Sequence, residues 1–80
     1  MISIEDFETN SVYRHFKGDY YYVMDIAENT ETNELMVVYH ALYSDYETYV
    51  RPYTIFVEEL DDTTKVLYKQ EYRFVPVTLE

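Results

Sequence analysis

Two stretches rich in tyrosine and β-branched residues, separated by a polar run, constrain the fold of this chain more than any other feature. The stretches are residues 20–27 and 35–43, and the run between them is Glu28-Asn29-Thr30-Glu31-Thr32-Asn33. Tyrosine, valine and isoleucine favour extended strands, whereas asparagine and threonine bond their own backbone and asparagine tolerates the left-handed region. The pattern predicts an antiparallel hairpin with its turn inside residues 28–34.

Side chains in the second stretch alternate between two faces of the predicted strand. One face carries Leu35, Val37, Tyr39, Ala41 and Tyr43. The other face carries Met36, Val38, His40 and Leu42. Both sets are largely apolar, so this strand is expected in the interior of a sheet rather than at its edge.

After the hairpin the chain continues with further β signals and one proline. A third strand is predicted at residues 47–51, and Pro52 suits the first position of a helical turn because its φ is fixed. We therefore expect one turn of 3₁₀ or α helix over residues 52–56, with Ile55 or Phe56 in the core. Short strands are predicted near residues 57–60, 66–69 and 72–77, with a turn at 61–64.

These elements together predict an all-β fold, namely a small SH3-like barrel of five or six antiparallel strands with one short 3₁₀/α turn. No long window keeps the 3.6-residue period of an amphipathic helix, which disfavours a helical bundle. A chain of 80 residues forms one domain. The predicted division is an N-terminal extension at 1–11, in which Ser3 can cap a short helix, and a single β-barrel domain at 12–80.

Composition limits the kind of core this chain can form and the cellular location that we predict for it. Hydrophobic residues make up 48% of it, with 11 tyrosines and 4 phenylalanines supplying the bulk of a small core. There is no cysteine, which excludes disulfides and thiolate metal sites. No run approaches the roughly 20 apolar residues of a membrane span, and the acidic first residues lack the pattern of a signal peptide. We predict a cytoplasmic protein that does not associate with membranes.

The net charge of −10, from 16 acidic against 6 basic residues, bears on the choice of partners. Binding a phosphate backbone requires lysine and arginine to neutralise it, so we predict no measurable affinity for generic double-stranded DNA at physiological salt. The acidity is explained by solubility of a tyrosine-rich surface. Mimicry of nucleic acid, or attraction to a basic partner, is the alternative.

Three segments in a fixed order are similar to those of a known family. They are Tyr13-Arg14-His15-Phe16-Lys17-Gly18, Val37-Val38-Tyr39-His40-Ala41-Leu42-Tyr43 and Val50-Arg51-Pro52. Over roughly residues 12–60 the chain resembles DUF1653, a family of small bacterial proteins of unknown function. The resemblance implies a compact β-barrel and brings no established activity. Asn29 stands where the family pattern has a histidine, so no histidine role carries over to that turn.

Basic and aromatic side chains in these segments are the candidate binding residues. Arginine offers a bidentate fork to an anionic group, and histidine titrates near physiological pH. Exposed tyrosines build shallow grooves for peptides, because each ring combines apolar area with a polar tip. The candidate patch consists of Tyr13, Arg14, His15, Lys17, Tyr39, Tyr49 and Arg51. The alternative is that the rings pack internally and that Arg14 and Arg51 pair with carboxylates such as Asp19, Glu47 or Glu58.

Arg51 distinguishes these two interpretations. It precedes Pro52, so its backbone is expected in the extended region. A structural Arg51 would be substantially buried and would bond backbone carbonyls or a carboxylate. A binding Arg51 would be exposed beside Tyr13, His15 or Tyr39. The structural role is the one we favour from the sequence.

Catalytic and metal-binding patterns are weak in this chain. Its histidines, His15 and His40, lack the close spacing of metal ligands. The three serines are outside a Gly-x-Ser-x-Gly setting, and a single glycine leaves no phosphate-binding loop. The acidic pairs 58–59 and 61–62 diverge if they lie on strands. We predict no catalytic residues, no metal and no cofactor.

Three functions remain open after these exclusions. The first is a non-enzymatic binding module that engages a peptide, protein or small ligand through its aromatic and basic patch. The second is a catalytic or ligand-processing accessory domain that uses His15 and an arginine. The third is a structural acidic protein that docks on a basic partner. The identity of the partner and the oligomeric state are left open by the sequence.

Overall fold

The structure is a computed structural model that describes residues 6–77. Residues 3–5 of the short helix predicted at the N-terminus lie outside the described residues. The elements, in chain order, are β1 (Ser11–His15), β2 (Tyr20–Asn29), β3 (Glu34–Ala41), β4 (Thr48–Pro52), α1 (Tyr53–Phe56), α2 (Asp62–Tyr68) and β5 (Phe74–Pro76). The described chain is thus mainly β, with two short helices.

The five strands form one antiparallel sheet in the order β4-β3-β2-β1-β5. The hairpin predicted from the sequence is confirmed, because β2 and β3 pair from Tyr21 opposite Ala41 to Asn29 opposite Glu34. Asparagine shapes its turn as expected. Asn33 adopts a positive φ of 63°, and the Asn29 side chain accepts a hydrogen bond from the backbone N–H of Glu31 at 3.1 Å.

The sheet is open, which corrects the predicted SH3-like barrel. Strands β4 and β5 stand at its two edges, and no strand pairing joins them within residues 6–77. β5 has only three residues, which limits the number of backbone hydrogen bonds that it can contribute to a sheet. Side chains nevertheless meet across the fold, since the Phe74 ring of β5 lies 5.8 Å from the Tyr39 ring of β3. Five antiparallel strands are confirmed, and closure is not.

Strand β1 is a central element that the sequence did not predict as a strand. It pairs with β2 on one side and β5 on the other, with Tyr13 opposite both Tyr21 and Pro76. Tyr13 and His15 share one face of β1, and Arg14 has the other. β1 therefore directs the family-like segment at residues 13–15 to two different faces of the sheet.

A β-bulge in β2 breaks the regular alternation of its side chains. The register shifts between Val23, which is opposite Tyr39, and Asp25, which is opposite Val38. Met24 is the extra residue on this strand. As a result Val23 and Ile26 both face the core although they are three positions apart, and Ile26 packs against the core cluster.

The predicted helical turn after Pro52 is confirmed as α1, and it fills the inner face of the sheet. Phe56 is 1% exposed, whereas its neighbour Ile55 is 43% exposed. Phe7 also packs in the core, although it lies in the segment assigned from the sequence to an N-terminal extension. The core cluster is aromatic and consists of Phe7, Tyr13, Val23, Val37, Tyr39, Tyr53, Phe56, Val57 and Phe74.

Helix α2 replaces the turn and strand predicted for residues 61–69. The carboxylate of Asp61 caps the helix by accepting the backbone N–H of Thr64 at 2.7 Å. Lys69 ends it in the left-handed conformation. No residue of α2 is buried, and its Val66 and Leu67 are exposed. The strand predicted near 57–60 reduces to a single bridge between Glu59 and Tyr72.

Candidate functional site

Register places a set of aromatic and basic side chains on the face of the sheet that also carries the core. Directly paired residues of adjacent strands share a face. His15 pairs with Phe74 and Tyr39 with Tyr49. Tyr21 and Arg51 lie on the same face, because they pair with Ala41 and Val37, and Tyr43 follows β3 in the adjoining loop. We call His15, Tyr21, Tyr43, Tyr49 and Arg51 the tyrosine–arginine patch.

Tyr21 is the centre of the aromatic part of this patch. Its ring meets the Tyr43 ring at a centroid distance of 5.6 Å and is nearly perpendicular to it. The two hydroxyl oxygens are 2.7 Å apart and share a hydrogen bond. The Tyr21 ring also makes edge contacts, at 5.5 Å each, with Tyr39 and Phe74. These two buried rings form the floor beneath the patch.

Arg51 lies over this floor at the basic end of the patch. Its guanidinium carbon is 5.7 Å from the centroid of the Phe74 ring, which is cation–π geometry. The side chain is half-buried and makes no ion pair with a carboxylate among residues 6–77. Of the carboxylates proposed for it, that of Glu58 pairs with Arg73 at 2.6 Å, and that of Glu47 accepts the Tyr49 hydroxyl at 3.3 Å.

His15 lies at the same end, in surroundings that favour its neutral form. Burial lowers its pKa, and the positive charges of Arg73, Arg51 and Lys17 lower it further against the opposing effect of Asp19. Nδ1 of His15 accepts the backbone N–H of Lys17 at 3.1 Å. This bond requires an unprotonated Nδ1 and so leaves the ring proton on Nε2. The lowered pKa of His15 therefore indicates a positive electrostatic potential around its ring.

Titration of His15 provides a direct test of this electrostatic arrangement. We expect its pKa, followed through the ring proton shifts in NMR spectra, to lie below the usual 6.5. Arg51→Gln removes one of the charges that lower this pKa and should raise it. Arg14→Gln makes the same charge change on the opposite face of the sheet and should raise it less. Equal effects of the two variants would show that His15 senses net charge rather than its neighbours.

The phenols of the patch floor and centre stay protonated at neutral pH. Burial raises the pKa of Tyr39, and the adjacent positive charge of Arg51 opposes part of that rise. Burial raises the pKa of Tyr21 strongly, and its hydrogen bond to Tyr43 adds to the effect. Both rings therefore contribute neutral hydroxyls. The positive charge of the patch comes from Arg51.

The structure gathers some of the predicted site residues and separates others. His15 and Arg51 come together over Phe74, at 4.9 Å and 5.7 Å from its ring, and Tyr49 lies 5.8 Å from the buried Tyr39 ring. Lys17 follows β1 in the turn, with its ammonium 5.8 Å from the Phe16 ring. The positive charge of Lys17 contributes to the lowered pKa of His15. Lys17 therefore acts on the patch through its charge and is not one of the residues that form it.

Two predicted binding residues have other positions. Tyr13 is a core residue whose hydroxyl donates to the backbone carbonyl of Glu8 at 2.8 Å. Arg14 is exposed on the opposite face of the sheet, where it pairs with Tyr20. Neither can contact a ligand on the tyrosine–arginine patch.

Tyr21 and Tyr43, with Phe74 beneath them, were not predicted as patch residues. Alternation along 20–22 indicates that some of these rings face outward, but it does not identify which ones. Alternation placed Tyr43 on the face of Tyr39 and Ala41, but β3 ends at Ala41, so Tyr43 reaches the patch from the loop and not from the strand. The signal that was available is the pairing itself: once β2 and β3 form a hairpin, Tyr21 must lie beside Ala41 and near Tyr43.

One cleft adjoins the patch, and a larger one lies farther away. The smaller, of about 150 Å³, is lined by residues of the β3–β4 loop and β4, including Tyr43, Glu47 and Tyr49. The larger, of about 490 Å³, lies beyond Phe16 and includes the Arg73–Glu58 ion pair. In the described part of the chain no cluster of three or more histidine, aspartate or glutamate side chains forms a metal site. No helix there has the length and apolar character needed to span a bilayer.

The fold and the patch define a class of protein: a small domain with one open antiparallel sheet and an aromatic and basic surface on the core side of that sheet. A family model described as "Protein of unknown function (DUF1653)" matches residues 11–76. The chain belongs to this family, which confirms the resemblance seen in the sequence.

A solved structure supports the same assignment. The crystal structure of a DUF1653 protein from Bordetella bronchiseptica is similar to this chain, with a TM-score of 0.77 and 34% sequence identity. The similarity covers 98% of this chain and 100% of that one. No curated protein matches the chain.

Proposed function

We propose that this protein is a non-enzymatic binding module whose tyrosine–arginine patch engages a peptide, protein or small ligand. The observation that carries the proposal is the combination of exposed tyrosine rings with an arginine that has no carboxylate partner among the described residues. Tyr43 and Tyr49 are exposed, while the rings beneath them are buried.

The alternative, that these tyrosines serve only to build the fold, applies to some of them. Tyr13 and Tyr39 are core residues, and their exposure of 1% and 4% leaves them no surface for a ligand. Tyr49 is 40% exposed, so a large part of its ring contributes nothing to the core. A tyrosine ring supplies contact area at low entropic cost because it has only two χ angles. The exposed part of Tyr49 can therefore contact a ligand at low entropic cost.

A screen of small molecules and short peptides by NMR tests this function. We expect ligands to shift the resonances of Tyr21, Tyr43, Tyr49 and Arg51, and Tyr49→Ala to weaken that binding. Tyr20→Ala is the matched control, because Tyr20 is 45% exposed but faces the other side of the sheet. Shifts that cluster elsewhere, or equal losses in both variants, would contradict the proposal.

Two expectations from the sequence remain predictions at this stage. The first is a cytoplasmic location. The second is the lack of affinity for generic double-stranded DNA, which rests on the net charge of −10. Micromolar binding to DNA with a steep salt dependence would show that the basic residues of the patch outweigh the overall acidic field.

A further inference from the structure

We infer that the tyrosine–arginine patch is specific for a ligand with an anionic group, a carboxylate or a phosphate, which Arg51 binds while an apolar portion lies on the tyrosine rings. This inference rests on the proposed function and adds the chemical class of the ligand. It depends on the environment of one side chain in an otherwise acidic protein.

Arg51 has guanidinium donors that no carboxylate among the described residues occupies. A guanidinium carries five N–H donors in a fixed fork that matches carboxylate and phosphate oxygens. Two carboxylates pair with other cations: that of Glu58 with Arg73 and that of Glu59 with Lys65. Arg51 lies on an aromatic ring instead and makes a side-chain hydrogen bond with Tyr39, so its remaining donors are available to a ligand anion.

The charges around Arg51 favour an anion. His15 experiences the positive charges of Arg73, Arg51 and Lys17, and Asp19 is the acidic residue that opposes them. In a chain of net charge −10, this end of the patch is locally positive. Partial burial of Arg51 reduces the screening of its charge by water.

The opposite end of the patch is acidic and aromatic. The small cleft beside Tyr43 and Tyr49 is lined by Asp45 and Glu47 as well. An anion is therefore repelled from that end and attracted to Arg51. The exposed part of the Tyr49 ring, which packs 5.8 Å from the buried Tyr39 ring, offers a surface for the apolar portion of a ligand. A ligand with one anionic group and an adjoining apolar portion can therefore bind in one orientation, with its anionic group at Arg51 and its apolar portion on the tyrosine rings.

Three probes of similar shape separate charge from ring stacking. Phenylacetate carries a carboxylate, phenyl phosphate a phosphate, and phenylacetamide has neither charge. Titrated into the full chain and followed by NMR, at least one of the anionic probes should bind about tenfold more tightly than phenylacetamide, as expected for charge-assisted hydrogen bonds. Comparison of the two anionic probes shows which group the patch prefers.

Variants assign the effect to Arg51. Arg51→Gln should reduce the affinity for the preferred anionic probe about tenfold and leave phenylacetamide unchanged. Arg51→Lys keeps the charge without the fork and should lose less. Arg14→Gln, with the same change of charge on the opposite face, should bind like the wild type. Circular dichroism establishes that each variant is folded. For the wild-type chain, the affinity for the anionic probe should also fall as salt is added.

The outcomes distinguish this inference from the proposed function. Equal affinities for all three probes, with shifts at the patch, would overturn the anion specificity and leave the binding module intact. Equal losses in Arg51→Gln and Arg14→Gln would overturn it as well, because net charge would then explain the preference. Absence of shifts at the patch with every probe would overturn the inference, and the wider ligand screen would then decide the proposed function separately.

Discussion

Phe56→Ala is expected to unfold this protein or bring it close to unfolding. The Phe56 ring stacks on Phe74 at a centroid distance of 4.1 Å with an interplanar angle of 5°. It also makes edge contacts with Phe7, Tyr13 and Tyr39. Removing a buried phenylalanine costs about 3–5 kcal/mol. Small domains have total stabilities toward the low end of about 5–15 kcal/mol.

Urea denaturation followed by circular dichroism measures this loss, and Ile55→Ala is the matched control. Ile55 belongs to the same helical turn but is exposed, so its truncation should change the free energy of unfolding by less than about 1 kcal/mol. Similar losses in the two variants would show that α1 contributes through its helix rather than through the packing of Phe56.

Tyr13→Phe is expected to destabilise the protein by about 1–3 kcal/mol, because it leaves the carbonyl of Glu8 without its hydrogen bond. The ring is unchanged, so the variant isolates the hydroxyl. Tyr20→Phe removes an exposed hydroxyl and should have almost no effect. The measurement is again the free energy of unfolding in urea. A neutral Tyr13→Phe would mean that water replaces the phenol at that carbonyl.

The same phenol predicts a dependence of stability on alkaline pH. Burial raises the pKa of Tyr13 from its usual 10 to about 12. Between these values the unfolded chain releases a proton that the folded chain retains, so stability is lost as pH rises through this window. Tyr13→Phe should remove this part of the alkaline loss. A decline of equal size in the variant would assign it to the other buried tyrosines.

The hairpin and the helical turn could be predicted from the sequence because their signals are local. Alternation and an Asn/Thr turn define β2 and β3, and the fixed φ of Pro52 defines α1. Helix α2 was predicted wrongly because its apolar residues are as compatible with a strand as with a helix. Its Val66 and Leu67 are exposed, so burial offers no periodicity to decide between the two.

The candidate patch was only partly predictable, for a reason specific to tyrosine. The tyrosine side chain is apolar along its ring and polar at its tip, so it is compatible with both the core and the surface. Tyr13 and Tyr49 were both predicted at the surface, and only the pairing of β1 and β4 within the sheet separates the buried ring from the exposed one. Arg51 could be named from the sequence, whereas its lack of a carboxylate partner within residues 6–77 could be seen only from the fold.

The bulge at Met24 gives β2 one residue more than its pairing with β3 requires. The residues on either side of Met24 already face as they would in an unbroken ladder, with Val23 inward, Asp25 outward and Ile26 inward. Deleting Met24 would therefore restore regular pairing without turning Tyr21 or Ile26 to the wrong side. In an alignment of relatives, a one-residue gap at this position would be a change of length that leaves both halves of the hairpin, and the patch at its end, in place.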